Sequence, residues 1–152
     1  MAYNPETQKA YYQRNREEIL RKRKIYREKN KEARNAYNKA FIHALRGEDM
    51  VRRKVKNQKN VAKTRNHVWE LDIEETVAAI MKQGRCALTG YKFQYRFGKD
   101  GIKNPFAPSI DRIDSSKGYV KGNIMFVIWR VNQSKQDMSL DQFKRMCAKV
   151  AE

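Results

Sequence analysis

The segment that decides the fold runs from Pro108 to Lys135 and reads PSIDRIDSSKGYVKGNIMFVIWRVNQSK. Isoleucines lie on either side of Asp111, two serines, a lysine and a glycine fill positions 115–118, and an apolar stretch follows. This order predicts a strand, a tight turn and a return strand over Tyr119–Val127. The return strand leads directly into a helix that begins near Trp129. The segment therefore indicates an α+β fold built on a hairpin followed by a helix.

Two polar side chains of this segment are candidates for chemistry. Asp111 lies on the first predicted strand and Asn132 on the predicted helix, so this fold brings them together between hairpin and helix. Oxygen ligands on rigid elements suit Mg²⁺, which holds several waters and few protein ligands. The pair therefore predicts a divalent metal site, for Mg²⁺ or alternatively Mn²⁺, of the kind that activates a phosphodiester.

The overall charge indicates the class of partner. The chain has 152 residues and a formal net charge of +17, with a pI near 10.0. Such an excess of Lys and Arg is typical of nucleic-acid-binding proteins. The sequence contains no run of about 18 apolar residues, the length that a membrane span requires. The first residues lack the apolar centre of a signal peptide. We therefore expect an intracellular protein whose partner is a nucleic acid and that has no membrane association.

The charge is concentrated in residues 1–66, which hold 20 Lys and Arg against 7 Asp and Glu. No proline or glycine occurs between positions 6 and 46, and the composition favours helix. A repeat of about 15 residues, each with an aromatic residue, an Asn and a Glu, predicts one helical segment per repeat. The matching positions are Tyr11, Asn15 and Glu17, then Tyr26, Asn30 and Glu32, with Phe41 at the next aromatic position.

We interpret residues 1–66 as a basic helical DNA-binding arm. Cations outnumber anions nearly three to one there, whereas a solvated helix face usually balances its charges with i, i+4 pairs. The expected DNA contacts are Arg14, Arg16, Arg21, Lys22, Arg23, Lys24, Arg52, Arg53, Lys54 and Lys56.

Cap signals predict two further helices. Asp72 and Gly84 bound a helix over Ile73–Gln83. Ser139 opens the last helix with a Ser-Leu-Asp-Gln capping box. The apolar side of that helix includes Cys147, which we expect to be buried.

A turn at Thr89–Gly90 and an alternating aromatic stretch over 92–97 predict a short strand or hairpin, followed by a loop over 98–101. With only two cysteines, the thiols are expected to be reduced. The two histidines, His43 and His67, lie too far from the cysteines in sequence for a zinc-finger spacing, so we expect them to be surface or DNA-contacting residues.

At five places the chain resembles the HNH nuclease family, in particular the compact members found in phages and mobile elements. The matching pieces, in order, are Cys86–Gly90, Ser109–Asp114, Gly118–Tyr119, Gly122–Asn123 and Val131–Lys135. They cover about residues 85–147, and the ordered set is far more specific than any one piece. The resemblance implies a ββα-metal (HNH) nuclease domain over residues 67–152. It also implies a metal-dependent DNA endonuclease encoded by a phage or mobile element and acting in the cytoplasm of a bacterial host.

The resemblance assigns roles by position. Asp111 corresponds to the metal-binding acid and Asn132 to the final metal ligand. Asn123 corresponds to the Asn that braces the metal loop, and Lys135 is expected to contact phosphate. These residues, with Arg112 and Asp114, form the predicted catalytic set.

The chain departs from the family pattern at Arg112, where most members have the histidine that deprotonates the attacking water. Arginine is no base at working pH, but it can clamp a phosphate through two hydrogen bonds. Asp114 is a candidate base, because related nucleases place theirs three residues after the metal-binding Asp. Asp114 is equally a candidate second metal ligand or turn-capping side chain.

Two functions of different classes compete. The first is an endonuclease that nicks or cuts duplex DNA, and the second is a catalytically silent DNA-binding protein on the same scaffold. The missing histidine favours the second, whereas the joint presence of Asp111, Asn123, Asn132 and Lys135 favours the first. An RNA-binding protein explains the charge but not the motif. The chain is expected to be a monomer or a homodimer.

Overall fold

The computed structural model describes residues 5–98 and 102–152. In the described residues the chain is mostly helical and contains one two-stranded antiparallel sheet. The elements, in order, are α1 (Pro5–Arg14), α2 (Arg16–Lys29), α3 (Lys31–Ala44), α4 (Gly47–Thr64), α5 (Ile73–Gln83), β1 (Pro108–Arg112), β2 (Ile124–Ile128), α6 (Trp129–Lys135) and α7 (Leu140–Val150). The predicted α+β class, with a hairpin followed by a helix, is confirmed. Most of the predicted loop over 98–101 lies outside the described residues.

The chain divides into two compact units, residues 1–41 and residues 42–152. This boundary corrects the one expected near position 66. The reason is α4, which is strongly basic but carries an apolar stripe. Met50, Val51 and Val55 of this helix are at most 1% exposed and belong to the hydrophobic core. The helix therefore belongs to the second unit.

In the first unit, the helices break at the repeated asparagines, as the 15-residue period predicts. The Asn15 side-chain amide donates to the Tyr11 carbonyl at 2.9 Å, and Asn30 donates to Tyr26 in the same way at 2.8 Å. No described residue of α1, α2 or the part of α3 up to Phe41 is buried. Each repeat is thus a helical segment that ends in its own side-chain cap and has no core of its own.

The hairpin of the second unit pairs β1 with β2 in antiparallel register, with Asp111 opposite Met125 and Pro108 opposite Ile128. β2 is shorter than the predicted return strand, because Tyr119 pairs elsewhere. Tyr119 forms a parallel bridge with Trp69, and its N–H donates to the Val68 carbonyl at 2.8 Å.

The glycine before Tyr119 permits this close approach. A Cβ on Gly118 would lie 2.5 Å from the Val68 carbonyl oxygen, a distance that side-chain carbons do not adopt. The Gly-Tyr piece of the motif therefore attaches the hairpin turn to the segment that follows α4.

The two capped helices form as predicted. Asp72 accepts the Glu75 N–H at 2.9 Å, and Gly84 ends α5 in the left-handed region at φ 65. Ser139 and Gln142 form the complete capping box of α7. Cys147 is exposed, however, which corrects its expected burial. Phe143 is the one residue of α7 that is buried in the core, because the rest of the helix extends past the core.

The segment between α5 and β1 forms the predicted turn but no regular strand. Gly90 donates to the Cys86 carbonyl at 3.0 Å, and Cys86 donates back to the Tyr91 carbonyl at 2.9 Å. The stretch over 92–97 makes isolated bridges only, at Lys92 and Arg96. None of the helices in residues 5–98 and 102–152 has the length and apolar character that crossing a membrane requires.

Candidate metal and nucleic-acid sites

Asp111 lies in the interior of the hairpin and helix unit. Its side chain points toward α6, and the residue as a whole is 4% exposed. Burial raises the pKa of the Asp111 carboxyl, and the positive charge of Lys135 opposes that rise. Its Oδ2 atom is buried and accepts no hydrogen bond from the described residues. A buried carboxylate oxygen without a donor is costly unless a cation compensates it.

Lys135 at the end of α6 supplies part of that compensation. Its Nζ lies 3.3 Å from Asp111 Oδ2 and donates to the Arg112 carbonyl at 3.0 Å. The residue is 0% exposed. The expected phosphate contact is therefore corrected, since a wholly buried ammonium is out of reach of a backbone phosphate. Lys135 acts as an internal counter-ion to Asp111 and fastens α6 to β1.

Asn132 is one turn earlier on α6 and is held against β1. Its amide nitrogen donates to Ser109 Oγ at 2.8 Å and to the Ile110 carbonyl at 3.1 Å. These bonds fix the orientation of the side chain and leave its oxygen for another partner. Sequence reasoning missed Ser109, although the alternation of β1 places it on the same face as Asp111.

The chemistry of these donors fits a hard divalent cation. Asp111 offers one oxygen without a hydrogen bond, and Asn132 offers an amide oxygen on a side chain held by two bonds. Within residues 5–98 and 102–152, no three His, Cys, Asp or Glu side chains come together as ligands. Such a set suits an ion that keeps most of its waters, as Mg²⁺ does, better than a tetrahedral zinc site.

Asn123 braces the loop between the strands, as the resemblance implies. Its Oδ1 accepts the Asp114 N–H at 3.0 Å, and its Nδ2 donates to the carbonyls of Asp114 and Gly118 at 3.1 and 2.9 Å. The preceding Gly122 has a φ of +84, a conformation that favours glycine. Gly122 and Asn123 therefore stabilise the loop between the strands. All three side-chain hydrogen bonds of Asn123 are made within that loop.

Asp114 adopts the turn-capping arrangement among its three candidate roles. Its Oδ1 accepts hydrogen bonds from the Ser116 N–H at 3.0 Å and from the Ser116 hydroxyl at 2.6 Å. Its Oδ2 lies 3.3 Å from Lys117 Nζ. The Ser116 hydrogen bonds and the charge of Lys117 lower the pKa of the Asp114 carboxyl. These contacts make it a weaker base than an ordinary aspartate.

Arg112 follows Asp111 on β1, so strand alternation directs the two side chains to opposite faces. Its guanidinium carbon lies 5.5 Å from the centre of the Tyr119 ring, and Nη1 donates to the Lys117 carbonyl at 3.1 Å. The guanidinium thus contacts the turn, whereas the expected phosphate clamp would lie beside the Asp111 carboxylate. His67 is half-buried nearby, and burial and the charge of Arg112 lower its pKa.

No protein-family profile matches the chain. Over 92 residues it is 27% identical to an uncharacterized 29.0 kDa protein from the dda-modA intergenic region of Enterobacteria phage T4. The match covers 60% of this chain and 34% of that protein, so the chain spans about a third of the length of this relative.

Among solved structures, the chain is similar to the rare-cutting HNH restriction endonuclease PacI, whose structure is described as showing an extraordinary mechanism of DNA perturbation. The TM-score is 0.49 at 18% sequence identity, over 62% of this chain and 72% of that one.

The predicted DNA contacts fall into two sets. Those of the first unit are all on or beside helices without buried residues, and they are Arg14, Arg16, Arg21, Lys22, Arg23 and Lys24. Lys22 pairs with Glu18 at 2.6 Å, but both side chains are more than half exposed, so the pair adds little. This set remains available to a polyanion.

The second set lies on α4 and divides further. Arg53 and Lys56 are exposed, whereas Lys54 is half-buried beside a cavity. Arg52 is bound by three carboxylates, Glu48 at 2.5 Å, Asp49 at 3.1 Å and Glu74 at 3.0 Å. These pairs join α4 to α5 and neutralise Arg52. We therefore reassign Arg52 from a DNA contact to a structural ion pair.

Proposed function

We propose that this protein is a metal-dependent DNA endonuclease of the HNH, ββα-metal kind. The observation that carries the proposal is the buried Asp111 carboxylate between hairpin and helix. Its Oδ2 atom accepts no hydrogen bond from the described residues and lies 3.3 Å from the ammonium of Lys135. Asn132 is bound to Ser109 and Ile110 of the same strand. The ordered motif pieces support it, and the charge of +17 supports DNA as the substrate.

In this proposal Asp111 and Asn132 hold the divalent ion, which would polarise the scissile phosphate and lower the pKa of the attacking water. Lys135 limits the charge of Asp111 and fixes its position. Asn123 and Asp114 keep the loop between the strands in one shape. The cations of α1 and α2, with Arg53 and Lys56 on α4, bind the DNA backbone. Arg112 supports the turn from the other side of β1.

The test is cleavage of supercoiled plasmid by the full chain with Mg²⁺, with Mn²⁺ and with chelator. Nicked product indicates one active site acting alone, and linear product indicates two copies acting together. We expect Asp111→Asn and Asn132→Ala each to slow cleavage by about a hundredfold or more, because a metal ligand acts on the chemical step. DNA affinity should change little. Asp141→Asn, an exposed carboxylate on α7, is the matched control. Native rates in both site variants would remove the proposed site.

A second candidate, a catalytically silent DNA-binding protein, is favoured by one arrangement. Arg112 lies over Tyr119, and the Asp114 carboxylate is committed to Ser116 and Lys117. Neither therefore stands ready as a base. Arg112→His separates the two functions. A native chain that binds DNA but cuts under neither metal, together with an Arg112→His variant that cuts, would establish the silent protein.

A further inference from the structure

A cavity of about 370 Å³ lies between α4, the start of α6 and the residues on either side of positions 99–101. Its described walls include Lys54 and Gln58 of α4, Lys103, Trp129 and Ser109. This volume lies within the roughly 300–1,000 Å³ of small-ligand sites. The cavity uses none of the groups assigned to metal binding above.

Among the described residues, the Lys and Arg side chains that line the cavity are Lys54 and Lys103, and no Asp or Glu of residues 5–98 and 102–152 lines it. Burial and the charge of Lys103 lower the pKa of Lys54 to about 8. Two ammonium groups without an acid beside them among the described residues repel each other. An anion between them would reduce that repulsion and would stabilise the charged form of the half-buried Lys54. A phosphate is such an anion, and lysine binds it as a point charge.

Trp129 makes the cavity suited to more than a phosphate. Lys103 Nζ lies 5.2 Å from the centre of the Trp129 ring, and the Arg130 guanidinium lies 5.6 Å from it. Both cations lie over the half-buried ring. A planar base can stack on the ring when the exposed Lys103 side chain moves from it to a bound phosphate. The side-chain amides of Gln58 and Asn104 also line the cavity and can donate to or accept from a base edge.

The cavity adjoins the candidate metal site through Ser109. Ser109 lines the cavity, and its hydroxyl accepts the hydrogen bond from Asn132. It lies two residues before Asp111 on the same face of β1, which is about 7 Å along the strand. An occupant of the cavity would therefore lie about one nucleotide step from Asp111.

We propose that this cavity binds a single nucleotide of the DNA strand, with its phosphate between Lys54 and Lys103 and its base against Trp129. The inference rests on the proposed function in one respect, which is the placement of DNA next to Asp111. The same chemistry would recognise a free nucleoside monophosphate, and the experiment distinguishes the two sources.

The experiment measures binding of the full chain, in chelator, to two duplexes of equal length and composition. One is fully paired, and the other has a single unpaired nucleotide that can leave the helix at little cost. We expect the second to bind about tenfold more tightly, the fold-change given by one stacked base. Titration with deoxyadenosine and thymidine monophosphates, followed by tryptophan fluorescence, is the free-ligand arm.

Lys54→Met removes the cavity charge, and Lys56→Met removes the same charge from an exposed position on the same helix. Lys56→Met should weaken binding to the two duplexes alike, whereas Lys54→Met should weaken binding mainly to the duplex with the unpaired nucleotide and so lose the preference for it. Lys54→Met is expected to fold, because a half-buried ammonium is replaced by an apolar chain of similar length. Trp129→Leu should lose the preference as well.

Equal affinity of the native chain for both duplexes would overturn the inference, as would a preference that survives Lys54→Met. Binding of free monophosphates without a duplex preference would overturn the strand as the source. Since these measurements contain no divalent metal, they are independent of the plasmid test. If the chain cleaves plasmid but binds the two duplexes equally, only this inference fails. If the chain prefers the unpaired nucleotide but does not cleave plasmid, only the proposed nuclease function fails.

Discussion

Two regions of one chain use helices in opposite ways. In residues 5–41 no described side chain is buried, and the exposed residues include aromatics at the repeat positions, with Tyr11 61%, Tyr26 70% and Phe41 55% exposed. In residues 42–152 an equally basic helix, α4, buries Met50 and Val51 completely. Isolated helices are marginal in water, so the first region depends on local caps and the second on packing. Charge alone therefore does not separate an exposed basic arm from a core element.

Truncation gives the largest expected effect and tests the boundary between the two regions. Deleting residues 1–41 should leave cooperative unfolding of the remainder with an unchanged midpoint. Deleting residues 1–66 should prevent folding, because it removes α4 and with it Met50, Val51 and Val55, whose loss exceeds the net stability of about 5–15 kcal/mol typical of such domains. Far-UV circular dichroism during chemical denaturation measures both. A cooperative unfolding transition in the variant that lacks residues 1–66 would show that α4 belongs to the arm and not to the core.

The next effect concerns the charge buried in the second region. Lys135→Met should lower the free energy of unfolding by about 3–5 kcal/mol, because it leaves the Asp111 carboxylate buried without its counter-ion. Guanidinium denaturation in chelator measures this loss. Adding Asp111→Asn to the same chain should recover part of it. Lys144→Met on the exposed side of α7 is the control and should stay within about 0.5 kcal/mol. A loss below about 1 kcal/mol for Lys135→Met would show that the pair is not buried in solution.

Charges in the arm should affect DNA binding without affecting stability. Replacing Arg21, Lys22, Arg23 and Lys24 together by Gln should lower the slope of log affinity against log salt by about 3–4, since each phosphate contact contributes about 0.9. Fluorescence anisotropy with a labelled duplex between about 0.05 and 0.2 M salt measures the slope. The control replaces Lys144, Arg145 and Lys149 of α7 by Gln. Equal changes in slope for the two variants would contradict a specific role of the arm.

The smallest expected effects come from one type of substitution, Asn to Ala, made in each of the two regions. Asn123→Ala should lower the free energy of unfolding by about 2–3 kcal/mol, because it removes three hydrogen bonds in a buried loop brace. Asn30→Ala should change it by nearly nothing, since the Tyr26 carbonyl also accepts the Asn30 backbone N–H and keeps a partner. Chemical denaturation measures the first variant, and the helical circular dichroism signal measures the second. Similar losses for the two would mean that the arm has tertiary packing of its own.

Local signals account for what the sequence predicted well. Helix α5, helix α7 and the turn at Gly90 each depend on cap or turn residues within a few positions, and each formed as predicted. The hairpin, and the placement of Asp111 on its first strand with Asn132 on the helix bound to that strand, also followed from the order of strand, turn, strand and helix.

Tertiary contacts account for what the sequence predicted poorly. The spacing of Val51, Val55 and Ala62 marks an apolar face on α4, but the density of lysines and arginines around it obscured that signal. Cys147 lies on the apolar side of α7, yet Phe143 is the only buried residue of that helix and Cys147 is exposed. The positions of Lys135 and Arg112 depend on which side of β1 the helices pack, and a one-dimensional pattern does not contain that information.

The asparagine breaks of the arm have a consequence for how such a chain can change in length. The helices α1 and α2 are each followed by an asparagine, Asn15 or Asn30, whose side-chain amide donates back to the last turn of the helix, and no residue of α2 is buried. A unit of 15 residues is therefore a removable part, about 22 Å of helix or between six and seven base pairs of DNA. Insertion or loss of one such unit removes no buried contact of the described residues, so the proposed DNA-binding arm can change its reach in whole steps while residues 42–152 are inherited unchanged.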